Sequence, residues 1–169
     1  MHITTKICAF ICTTLFLAGC AISVNLPDGF DGTIPEKANR VDVTSEQSVE
    51  ELFETLQEWL PAQGFSIESA NELSRTIETT SAEIGQRTRM KIKLRISPHE
   101  LGSHMEAIGT WSSDVEESTF SAASQNVSSE ENDWYVATWS GKTRSSYAYS
   151  QLITTFHDLP AIDKRYVKQ

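Results

Sequence analysis

From Arg87 to Ile96 the sequence reads RTRMKIKLRI, with Arg87, Arg89, Lys91, Lys93 and Arg95 at alternate positions and Met90, Ile92, Leu94 and Ile96 between them. No helix sorts bases from hydrocarbon with a period of two. Only in a strand do successive side chains point to opposite sides. The chain must therefore build a sheet with one wet face carrying a row of bases and one dry face that other elements cover.

The cover is predicted on either side of this strand. Val49, Leu52, Phe53, Leu56 and Leu60 fall at helical spacing, with Thr44 as N-cap, Gln47 as its capping-box partner, and Pro61 and Gly64 as the stop. Glu50, Glu54 and Glu58 line another face of that helix as a solvated stripe, or less simply as a partner-binding one. A second helix carries Tyr149, Leu152, Ile153 and Phe156 on one face, capped by Ser145 or Ser146 and ending before Pro160.

The remaining strands follow from alternation. Val41 to Val43, Phe65 to Ser69, Leu73 to Thr79 and His104 to Trp111 read as strands, and Pro98 to Gly102 as the turn of a hairpin. Asp133 to Trp139, with Trp134 and Trp139, reads either as a sixth strand closing the core or as an aromatic surface for sugar or peptide. The expected fold class is α+β: a two-layer sandwich in which an antiparallel sheet of about five strands carries two helices on one face, forming a single domain over 41–169.

Catalytic signals are weak. HELGSH at 99–104 places its histidines at i and i+5, whereas a zinc-protease helix needs them at i and i+4, and Pro98 and Gly102 disfavour a helix there. Trp139 to Thr143, WSGKT, ends like a phosphate loop, but Val136 stands where the first glycine belongs, so it reads as a turn. His157 suits the end of the second helix as a cation near the dipole. The serines lack a nucleophile elbow. The expectation is no catalytic set, no metal and no cofactor, with Arg87, Arg89, Lys91, Lys93, Arg95, Trp134 and Trp139 as candidate partner-binding residues.

The first twenty residues, MHITTKICAFICTTLFLAGC, carry a lone Lys6, an apolar run from Ile7 to Leu17 too short for a stable membrane span, and then small residues. Leu17-Ala18-Gly19-Cys20 resembles the lipobox of bacterial lipoproteins. In that family the leader, here 1–19, is cut before the cysteine, and the cysteine, here Cys20, carries acyl chains. The residue after it influences sorting, and Ala21 rather than an aspartate implies the outer membrane, with the domain facing the periplasm. The resemblance covers only this stretch. It implies that Cys8 and Cys12 are lost with the leader and that Cys20 is acylated, so no thiol remains for a disulfide, metal or nucleophile.

Removing the leader takes away one of 14 basic residues and none of the 23 acidic ones, moving the net charge from −9 to −10. So acidic a chain argues against nucleic acid as partner and against broad adhesion to anionic lipid, leaving membrane attachment to the acyl chains. Residues 21–40, with two prolines and two glycines, read as a flexible tether of root-mean-square span roughly 25 Å, and up to about 65 Å drawn out. The alternative is that Val24, Leu26, Phe30 and Ile34 dock on the domain or on a partner. The segment 112–133, serine-rich and acidic, reads as an exposed loop or weak helix.

A lipid anchor followed by a helix and then a meander is similar to the domains of the C subunit of the outer-membrane barrel-assembly machinery. That similarity is of architecture and anchor, without a shared motif, and it transfers no residue roles. The functional expectation is a noncatalytic lipoprotein that binds a protein, glycan or lipid partner in the cell envelope. The alternative is an envelope hydrolase with an unrecognised site, which would gather His99, His104 or His157 with carboxylates in a deep cleft.

Overall fold

The computed structural model describes residues 22–113 and 134–169. The leader 1–19, Cys20 and residues 114–133 of the serine-rich segment lie outside the described residues. The elements are β1 (Arg40–Ser45), α1 (Val49–Ala62), β2 (Ile67–Asn71), β3 (Thr76–Thr79), β4 (Ala82–Gly85), β5 (Thr88–His99), β6 (Gly102–Ser113), β7 (Tyr135–Val136), α2 (Arg144–His157) and β8 (Asp163–Val167). Among the described residues the fold is α+β, with two helices and one antiparallel sheet.

The sheet has eight strands, not about five, in the order β2-β3-β5-β6-β1-β8. Two short strands extend it. β4 pairs with β5 beyond the end of β3, and β7 pairs with β6 beyond the end of β1. The long β5–β6 hairpin is the spine, in register from Thr88↔Ser113 to His99↔Gly102. On its inner side Met90, Ile92, Leu94, Ile96, Met105 and Ala107 are fully or almost fully buried, in one core with Leu52, Leu56 and Leu60 of α1 and Tyr149, Leu152 and Ile153 of α2. Both helices thus cover that one side, as the alternation demands. Each large side chain so buried contributes about 1.5–3 kcal/mol relative to exposure.

Several local expectations shift by a few residues. The N-cap of α1 is Ser48, which accepts from the Glu51 amide at 3.2 Å while Glu51 accepts from the Ser48 amide at 2.9 Å. Thr44 belongs to β1 instead, because the strand runs on to Ser45. Pro61 lies inside α1 and does not end it. The stop comes at Gly64 (φ +89°), where the Phe65 amide reaches the Leu60 carbonyl and the Gly64 amide the Pro61 carbonyl, the double closure of a Schellman turn. α2 is capped by Thr143, not Ser145 or Ser146. Leu73 is fully exposed in the turn before β3, so that strand starts at Thr76.

Arg87 also moves. With Gln86 it forms a two-residue hairpin turn between β4 and β5, both residues at positive φ (51° and 54°), as a type I′ turn requires. It therefore stands at the tip of the hairpin and not in the basic row.

The segment read as a tether docks on the domain. Leu26, Phe30 and Ile34 pack against the core, and Ala38 is fully buried within it. The Phe30 ring lies 5.3 Å from Tyr166 of β8. Gln86 Nε2 donates to the Ser23 carbonyl at 3.1 Å, the Lys37 amide to Trp139, and the Asn39 amide to Val167. Residues 23–39 thus form a strap running from the β4–β5 turn to β8, and the folded unit begins well before residue 41. Among the described residues no helix is long and apolar enough to cross a membrane.

Candidate functional site

The face of the sheet that no described element covers is built by register. Lys91, Lys93, Arg95 and Ser97 of β5 stand opposite Thr110, Ile108, Glu106 and His104 of β6, and Glu106 and His104 in turn stand opposite Asp42 and Thr44 of β1. Four of the five predicted bases, Arg89, Lys91, Lys93 and Arg95, share this face, since their strand neighbours Met90, Ile92 and Leu94 are buried on the other.

Their partners differ. Lys93 pairs with Glu78 at 2.6 Å, but both side chains are well exposed, so solvent screening leaves the pair worth little. Arg89 donates to Ser81 Oγ at 2.9 Å. Glu106, opposite Arg95 in register, is taken by Arg40 at 2.8 Å, and Glu68 at the β2 bulge joins none of the bases. Arg95 makes no ion pair among the described residues.

Lys91 finds an aromatic ring. Its Nζ lies 4.9 Å from the centre of the Trp134 ring, a cation–π contact that carries the aromatic segment onto the basic face. The β7 pairing explains the placement. Val136 opposes Thr110, so Val136 and Trp134, two residues apart, point to the uncovered side, whereas Tyr135 turns to Trp111 at 5.6 Å on the other. Val136 is 47% exposed and Ile108 half-buried, so the bases border an apolar strip. Trp139 is placed elsewhere: its ring lies 6.5 Å from Tyr149 and its backbone pairs with Ala38, on the helix side. The two tryptophans therefore separate, Trp134 to the basic face and Trp139 to the core margin.

A charge cluster adjoins this surface that the sequence reasoning missed. Asp42, His104 and Glu106 bring their ligand atoms within 4.8 Å of one another, a spacing a divalent ion accepts. Arg40 already supplies the cation. Its Nε lies 2.6 Å and its Nη2 2.9 Å from the Asp42 carboxylate, and its Nη1 lies 2.8 Å from the Glu106 carboxylate. A metal would have to displace one charge-assisted hydrogen bond and two close ion contacts. The cluster is accordingly an ion-pair network that lets Asp42 sit at 8% exposure. The alternation Arg40-x-Asp42 in a strand was the available signal. Just behind it, Tyr149 donates to the Arg40 carbonyl at 2.8 Å, and burial first, then the neighbouring Tyr166 and Asp42, pushes its phenol well above the ordinary value.

The histidines take scaffold positions. His99 and His104 flank the hairpin turn with rings 6.2 Å apart, and His99 Nδ1 accepts from the Leu101 amide. His157 is the last residue of α2, near Asp158 at 4.0 Å. Trp139 to Thr143 leads through bends into α2 as the turn reading expects. A polar cleft of about 300 Å³ between the end of α1, β4 and α2 is lined by residues that include Gln63, Glu83, Gln151 and Thr154, with no histidine. No family model matches the chain, and no curated protein is significantly similar to it.

Proposed function

We propose that this chain is a noncatalytic lipoprotein, anchored by acyl chains on Cys20 to the periplasmic side of the outer membrane, whose uncovered sheet face binds an acidic envelope partner. The observation that supports the reading is the Lys91–Trp134 contact, which joins the row Arg89, Lys91, Lys93 and Arg95 to an aromatic ring beside exposed Val136. Cations bordered by an aromatic and an aliphatic side chain suit carboxylate-bearing or phosphate-bearing ligands, and such contact weakens with salt because exposed charges are screened over about 8–10 Å. The hydrolase alternative would centre on His104 between two carboxylates, but Arg40 holds both carboxylates there.

The test reverses Arg89, Lys91 and Lys93 to glutamate in cells, with circular dichroism confirming the fold, and compares crosslinked partners. Loss of one or more partners is expected. Undiminished capture by the folded triple variant removes the binding role from this face.

A further inference from the structure

The docked strap changes what a lipid on Cys20 would do. A free tether of twenty residues would let the domain roam tens of ångströms from the bilayer. Here the leash is three Cα–Cα steps, from Cys20 to Ser23, at most about 11 Å, because the Ser23 carbonyl is held by Gln86 at the β4–β5 turn. Beyond it, the packing of Leu26, Phe30 and Ile34 and the burial of Ala38 continue the attachment.

We propose that the domain sits directly against the phospholipid surface, with the β4–β5 turn lowermost and Gln86 and Arg87 at headgroup level. This rests on the acylation of Cys20 proposed above. The side chains at that end suit the place. Arg87 is exposed at the hairpin tip, the Lys91–Trp134 pair combines a long cationic stem with an indole, and Tyr135 is 54% exposed. Such side chains bury an apolar body and keep a polar tip in the wet headgroup layer.

Charge attraction is not the driving term. The sequence between Ser113 and Trp134, both at this end, carries six acids. The acyl chains supply attachment and the strap sets distance and orientation. β5 climbs twelve residues away from the turn, roughly 40 Å at strand spacing. The Glu100–Leu101 turn therefore faces away from the lipid, and the basic row runs up the side of the domain from the bilayer outward.

The experiment uses the full acylated chain in phosphatidylcholine vesicles doped with a headgroup-nitroxide lipid. Because acylation consumes the Cys20 thiol, Arg87→Cys or Leu101→Cys supplies a single site for a fluorophore. The expected result is loss of most of the fluorescence at position 87 and none at 101. A twenty-residue Gly/Ser insertion between Ile22 and Ser23 should restore the signal at 87 while the protein still floats with the vesicles. Flotation with no quenching at 87, or with equal quenching at 87 and 101, overturns the seating and leaves the anchor intact. Failure of the unmodified chain to acquire acyl mass and to float overturns the anchor, and the seating with it.

Discussion

The indole nitrogen of Trp59 donates to the carbonyl of Thr155 at 2.8 Å, joining the last turn of α1 to the last turn of α2. The final four carbonyls of a helix have no partner within it. Trp59 supplies one for Thr155, the Asp158 and Leu159 amides serve Phe156, and the Lys164 ammonium reaches back to His157. Trp59→Phe keeps the ring and removes the donor, leaving the Thr155 carbonyl unpaired between the helices. A loss of about 1–3 kcal/mol is expected, read as a lowered urea midpoint with an unchanged slope.

Leu56 tests the apolar stripe of α1. Its side chain is wholly buried at the centre of the core. Leu56→Ala should cost about 2–5 kcal/mol through lost contacts and the cavity left behind. An unchanged midpoint would mean that the stripe does not carry the core.

Gly102 and Gly64 form a matched pair. Both hold φ values that side chains disfavour, +134° and +89°. A Cβ on Gly64 meets nothing within 4 Å, while one on Gly102 would fall 2.5 Å from the Ser45 carbonyl oxygen and 2.7 Å from Glu46. Gly64→Ala should cost about 1 kcal/mol for conformation alone. Gly102→Ala should cost more, because backbone at the β1–α1 junction must move. Equal thermal shifts for the two variants would contradict the close approach.

Alkaline stability should fall in a defined window. Tyr149, Tyr147 and Tyr166 all have phenols raised above the ordinary value of 10, in each case chiefly by burial. A group that keeps its proton more tightly when folded contributes stability that is complete below the unfolded value and is lost as pH rises toward the folded one. Stability should therefore be insensitive to these groups up to about pH 9 and decline above pH 10. Tyr149→Phe should flatten that decline, measured by denaturation at stepped pH.

What the sequence disclosed follows from how strongly each segment was patterned. β5 was legible because every second residue from Arg89 to Arg95 is charged and every intervening one is buried. β8, DKRYV, has no such pattern: as an edge strand it contacts one neighbour only, so Lys164 and Arg165 are tolerated and Tyr166 alone seals the core margin. β4 is four residues long and its cue, the turn at Gln86-Arg87, lacks the usual asparagine or glycine. The capping box was visible as Ser48-x-x-Glu51, but Thr44-x-x-Gln47 fits the same pattern four residues earlier, and only the extent of β1 separates them. The ion cluster of Arg40, Asp42, His104 and Glu106 depends on a register between strands whose paired residues lie 58 to 66 positions apart, so Arg40-x-Asp42 marks half of it and no local pattern supplies the other half. For the same reason Lys91 and Trp134 could be named separately from the sequence, but not together.

The outermost strands of the main ladder, β2 and β8, take on a particular meaning if the chain is held at a membrane as proposed. Neighbouring copies on a bilayer would meet sideways, at far higher local density than in solution and with strands already aligned, the arrangement in which open edges zip into larger sheets. β2 interrupts its ladder with a bulge between Ile67 and Ser69, and β8 carries Asp163, Lys164 and Arg165 along its length. A bulge breaks the register an incoming strand needs, and charges at the rim must be stripped of water to be buried. Crowding in two dimensions would then not join copies through β2 or β8.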